Sequence, residues 1–118
     1  KVGYLKKRIF AFRVAFEGLG LLFKASAHAR IHLLAIVVVS SSAIYLNVSN
    51  SEWIALILCY GAVLSLEAMN SAIEYTLNLT HPEKHPLAKK AKDIAAAAVI
   101  IAAICSVIIA LIIFVPKF

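Results

Sequence analysis

The chain has 118 residues, 63% of them hydrophobic and 15% charged, with a formal net charge of +6. A soluble domain runs near 45–50% apolar and about 25% charged, and so small a chain cannot hide this much apolar surface from water in one core; four glycines, three prolines and two cysteines exclude disordered, collagen-like and disulfide-stapled classes as well. A bilayer is the expected solvent, and the placement of the positive charges decides between a nucleic-acid footprint and a lipid surface.

Residues 1–30 are basic and broken by charges, without the unbroken hydrophobic stretch or small-residue cleavage site of a signal peptide. The first residue is Lys1, so the numbering is read as that of a trimmed or processed chain. Over residues 4–24, Leu5, Ile9, Phe12, Phe16 and Leu19 recur at helical spacing while Lys6, Lys7 and Arg13 fall elsewhere. This pattern predicts an amphipathic helix lying in the headgroup layer, with Gly18 and Gly20 marking a bend toward the membrane. Three apolar runs follow, at about 31–48, 53–79 and 94–115. Each reaches the roughly 20 residues that a helix needs to cross a bilayer, and helices are the form that satisfies every backbone group in lipid. The expected fold is an all-α membrane protein of one surface helix and three transmembrane helices, a single domain over 1–118.

Seven basic residues (Lys1, Lys6, Lys7, Arg8, Arg13, Lys24, Arg30) precede the first span and four (Lys84, Lys89, Lys90, Lys92) lie between the second and third, whereas the 47–52 connection has none and the far end only Lys117. This is the positive-inside distribution for a cytoplasmic N-terminus and an outward C-terminus. The net charge is a topology signal, and no nucleic-acid partner is expected.

Glu67, Asn70, Ser71 and Glu74 fall on one helical face in the cytoplasmic half of span two. A carboxylate in hydrocarbon costs about 3 kcal/mol even on the lenient insertion scale, so two on one stripe call for a partner or a function. Glu67 lies about 10 Å deeper than Glu74 by helical rise. His85, Lys89, Lys92 and Asp93 share a face at the start of span three. Two readings of these stripes stand. They neutralise each other as an interhelical ion-pair network, or they form a phosphate site in which lysines hold polyphosphate, carboxylates hold a divalent cation and one carboxylate takes a proton from an attacking hydroxyl. Magnesium suits such hard oxygen donors.

The string Glu67-Ala-Met-Asn70-Ser71-Ala-Ile-Glu74, followed by His85-Pro-Leu-Ala-Lys-Lys-Ala-Lys92-Asp93, resembles the signature of the prokaryotic diacylglycerol kinase and undecaprenol kinase family. The order of elements agrees over nearly the whole chain, including Phe16-Glu-Gly18-Leu and Arg30-Ile-His32-Leu. The resemblance implies a domain-sharing homotrimer in the bacterial inner membrane whose active sites, composed between neighbouring subunits, transfer the γ-phosphate of ATP to a lipid hydroxyl with Mg²⁺. By the same resemblance Glu67 is the general base, Asn70 supports the site and Glu74 is a magnesium ligand. Lys7, Glu83, His85, Lys92 and Asp93 are nucleotide-binding positions. Ser71 and Arg30 are the candidate lipid contacts. The chain departs from the family pattern at Ser26, where a second metal-binding glutamate is the rule, at His28, where asparagine is common, and at Val14, where an aromatic residue is expected. A kinase with a re-formed metal site, a variant with suppressed turnover and a lipid-binding member without efficient chemistry are the readings left open, with a small ion-coupled transporter behind them.

His81 and His85 are interrupted by Pro82 and Pro86 and are expected in a solvated turn, with Pro86 opening the third span. Cys59 and Cys105 lack metal or redox spacing and are expected as buried thiols. Gly61, Ser65, Ala68 and Ala72 form a small-residue stripe expected to pack closely against a helix. No Gly-rich phosphate loop is present.

Overall fold

The computed structural model describes residues 2–118; Lys1, counted above among the basic residues, lies outside the described residues. The described residues form four α-helices and a terminal 3-10 turn, with no strand: α1 Val2–Ala25, α2 Ala27–Tyr45, α3 Asn50–Thr80 and α4 Pro86–Phe114. The last three are long and apolar enough to cross a membrane. The extents of 50 × 47 × 20 Å describe a molecule long in two directions and thin in the third. The 31-residue α3 is about 46 Å long by helical rise, and α1 about 36 Å.

α1 has one buried residue, Leu22, near its C-terminal end. Leu5, Ile9, Phe12, Phe16 and Leu19 are exposed, as is every residue from Val2 to Leu21. Gly18 and Gly20 do not bend the chain: α1 runs unbroken through both, and the change of direction falls at Ser26. A glycine within a helix costs about 1 kcal/mol but breaks no hydrogen bond, whereas Ser26 leaves the helical region at φ −103, ψ 115 and its Oγ accepts the Ala29 N–H at 3.1 Å. Arg30 fixes the same junction from the other side by donating to the carbonyls of Phe23 (2.9 Å) and Lys24 (3.0 Å), which the end of α1 leaves without helical partners.

At the opposite end of the bundle Asn47 takes φ 53, a left-handed conformation that asparagine tolerates. Ser49 and Glu52 then form a capping box that starts α3. Ala43, Val48, Leu56 and Ile113 make the core there, with Trp53, Tyr60 and Phe114 packed on it. Lys117 reaches back to Glu52 at 3.2 Å and ties the end of α4 to the start of α3. His85 caps α4 and Pro86 occupies its first turn, as expected.

One expectation about packing is corrected: Cys59 is buried but Cys105 is exposed, because its side of α4 faces away from the other helices. Gly61, Ser65, Ala68 and Ala72 are exposed as well, so within one chain the small-residue stripe turns outward from α2 and α4, with open space beside Gly61.

Candidate active site around Glu67

α3 brings Glu67, Asn70, Ser71 and Glu74 to one cavity of ≈ 230 Å³, whose other walls include Ser26 and His28 from the start of α2 and Tyr75 and Asn78 from the end of α3. Glu67 is 3% exposed, the only charged side chain buried among the described residues. Both its oxygens face α2. The Ser26 hydroxyl donates to Oε1 at 3.3 Å, and His32 Nε2 lies 3.6 Å from Oε2. Burial of a carboxylate is tolerable only with such partners.

Asn70 donates from Nδ2 to Glu74 Oε1 at 3.3 Å, and its Oδ1 is buried with no partner among the described residues. An unpaired buried acceptor of this kind costs about 1–3 kcal/mol. Glu67, Asn70 and Glu74 also border a second cavity of ≈ 310 Å³, on the α4 side. Beyond His32 lies an apolar cavity of ≈ 260 Å³, lined among others by Ile36, Val39, Leu56, Tyr60 and Val107. Glu67 thus borders a polar cavity toward Ser26 and Asn78 and, toward α4, one walled also by Ala96, Val99, Ile100 and Ala103.

Glu83, His85, Lys92 and Asp93 line a separate open cavity of ≈ 630 Å³ at the turn between α3 and α4. His85 Nδ1 accepts the Leu87 N–H at 3.1 Å, and Lys89 pairs with Asp93 at 2.6 Å within α4. Lys92 crosses to α3, where its Nζ donates to Asn78 Oδ1 at 2.7 Å. Asn78 belongs to the Glu67 cavity, so this bond links the two cavities.

Among the described residues no ion pair joins the acidic stripe of α3 to the basic stripe of α4, which corrects the neutralising-network reading. The two stripes meet through an amide instead: Lys92 bonds Asn78, and Glu74 accepts from Asn70. Two expected site residues stand apart. Arg30 is engaged with the end of α1 and does not line the Glu67 cavity. Lys7 sits on the exposed arm, 18 residues before Ala25, about 27 Å along the helix. His32 and Asn78 were not singled out by their spacing, and each comes to the site by a contact between helices.

A family model described as prokaryotic diacylglycerol kinase matches residues 13–114. The chain is 52% identical over 66 residues to the undecaprenol kinase of Bacillus subtilis (strain 168), covering 56% of this chain and 54% of that relative. It is 37% identical over 102 residues to the diacylglycerol kinase of Synechocystis sp., covering 86% of this chain and 58% of that relative. With the diacylglycerol kinase of Pseudomonas aeruginosa the identity is 36% over 98 residues, covering 83% and 80%. The match spans little more than half the length of the first two relatives. Matched from Arg13 to Phe114, through all of α2, α3 and α4, the chain belongs to the prokaryotic diacylglycerol kinase family.

Proposed function

We propose that the chain is a lipid kinase that transfers the γ-phosphoryl group of ATP to the hydroxyl of a membrane lipid, undecaprenol or diacylglycerol, at the cytoplasmic face of a bacterial inner membrane. The observation that carries this reading is Glu67, a carboxylate buried in a membrane-length helix between a polar cavity and one walled largely by apolar residues of α4. A lipid alcohol has the same two-sided character. The names of the relatives, undecaprenol kinase and diacylglycerol kinase, support it.

In this mechanism Glu67 accepts the proton of the lipid hydroxyl. The hydroxyl oxygen forms its bond to the γ-phosphorus while the bond from that phosphorus to the bridging oxygen of ADP breaks, and the lipid leaves as a monophosphate. Ser71, on the wall of the same cavity, is placed to meet the lipid headgroup. Lys92, with Glu83, His85 and Asp93 around the open cavity, receives the nucleotide. The donors present fit magnesium: the Glu74 carboxylate and the unpartnered Asn70 Oδ1 are both hard oxygens, and magnesium commonly takes one or two carboxylates together with phosphates. Bound there, the cation would offset the charge of the phosphates. Lys7 lies about 27 Å along α1 from Ala25 on the wall of the Glu67 cavity, a separation that supports a homotrimer in which the arm of one copy completes the site of the next.

The test is ATP-dependent phosphorylation of undecaprenol and diacylglycerol side by side in mixed micelles, with and without magnesium. One lipid is expected to be labelled, and Glu67→Gln should lower kcat by about 10²–10⁴, the usual contribution of a general base. Labelling of neither lipid by the wild-type chain, or full labelling in the variant, would refute the assignment.

A further inference from the structure

We infer that Ser26 is a positioning residue for Glu67, setting the carboxylate in its working orientation from the first turn of α2; this rests on the kinase reading above. A serine hydroxyl has one hydrogen to donate and lone pairs to accept with. At Ser26 a lone pair is taken by the Ala29 N–H at 3.1 Å, which fixes the direction of the hydroxyl, and the hydrogen goes to Glu67 Oε1 at 3.3 Å. The two roles do not compete, and accepting from a helix N–H polarises the hydroxyl into a better donor. Ser26 is itself held from both sides, by its own N–H on Leu22 O at 2.9 Å and by the Arg30 clamp on the end of α1. The other carboxylate oxygen faces His32, about 1.7 turns further along α2. The carboxylate therefore has a fixed partner at Oε1 and a neighbour at Oε2, both from one rigid element.

This geometry gives position 26 a task unlike metal binding. A hydroxyl already committed to a helix cap and to Glu67 orients the base, while a carboxylate in its place, with no cation between the two, would set like charges together in a buried site.

Three substitutions separate positioning from capping. Glycine caps helices nearly as well as serine but has no hydroxyl, and threonine retains both functions. Ser26→Gly is expected to lower kcat about tenfold, the effect of one hydrogen bond to a charged group, with KM for ATP unmoved, and Ser26→Thr to restore it. If Ser26 is a helix cap alone, Ser26→Gly retains full kcat and the inference is overturned. An activity-independent reading comes from the unfolding midpoint in detergent. Ser26→Glu should lower it when Glu67 is present and much less when combined with Glu67→Gln, because the repulsion is gone. Equal lowering in both backgrounds overturns the inference. A wild-type chain without kinase activity would refute the proposed function, and the unfolding cycle would still decide whether Ser26 and Glu67 are coupled.

Discussion

Lys92 is held at the mouth of the site by an amide, and that choice of partner matters. A carboxylate at Asn78 would neutralise the ammonium; the Asn78 Oδ1 accepts one of its three hydrogens at 2.7 Å, and under the proposed function the other two would meet a phosphate. Asn78→Ala should therefore loosen Lys92 without altering the base. The expected result is a rise in KM for ATP of roughly three- to tenfold, the range for one hydrogen bond to a charged group, with kcat little changed, read from initial rates at saturating lipid. A fall in kcat with unchanged KM would place Asn78 in the chemistry instead. Part of the site was legible at this scale: Glu67, Asn70, Ser71 and Glu74 share a face in the sequence and share a cavity in the structure. His32 and Asn78 were not, because their partners Glu67 and Lys92 lie 35 and 14 residues away on other helices, and one chain's periodicity does not say which faces meet. Arg30 shows the converse, a cation at a suggestive position that serves the end of a helix.

At the scale of elements, the three spans were legible because each is an apolar run with few charges, and length alone sets what crosses a bilayer. Their ends moved by one to four residues, except that α4 begins at Pro86, eight residues before the apolar run and at the proline expected to open it. Helices are started by caps, and Ser26, Ser49 and His85 act through side-chain bonds to the next turn that hydrophobicity does not reveal. The arm is the clearest case. Two glycines suggested a bend, yet α1 continues through Gly18 and Gly20, and a Cβ added at either meets nothing within 4 Å. With ordinary helical backbone and open space, Gly18→Ala and Gly20→Ala should each stabilise the helix by about 0.5–1 kcal/mol. The double variant is expected to show higher helical content by circular dichroism in micelles and undiminished lipid phosphorylation. Loss of activity in a well-folded double variant would show that the arm must flex there, contrary to the straight α1.

Across the whole molecule, the amount of apolar surface left uncovered is informative. Large hydrophobic side chains are exposed along all four helices, and the bundle is only 20 Å in its thinnest direction. Lipid covers some of that surface. The outward strip of Gly61, Ser65, Ala68 and Ala72 has the composition that lets two helix backbones approach closely in a membrane, and it lies on α3, the helix that carries Glu67. Packing of α3 against another copy would also let an arm about 36 Å long extend over a neighbour's cavity. If Lys7 acts on a neighbour's nucleotide, a Lys7→Ala chain lacks what its neighbour needs, and a Glu67→Gln chain lacks its own base. Each variant expressed alone should be strongly impaired. Co-expressed, they should regain a measurable part of wild-type activity, because in mixed assemblies the arm of a Glu67→Gln copy can complete the intact base site of a Lys7→Ala copy. Assay of the co-purified mixture, with differently tagged copies to prove assembly, reads this directly. Activity no higher than that of the single variants in a proven mixed assembly would mean that every site is built within one chain.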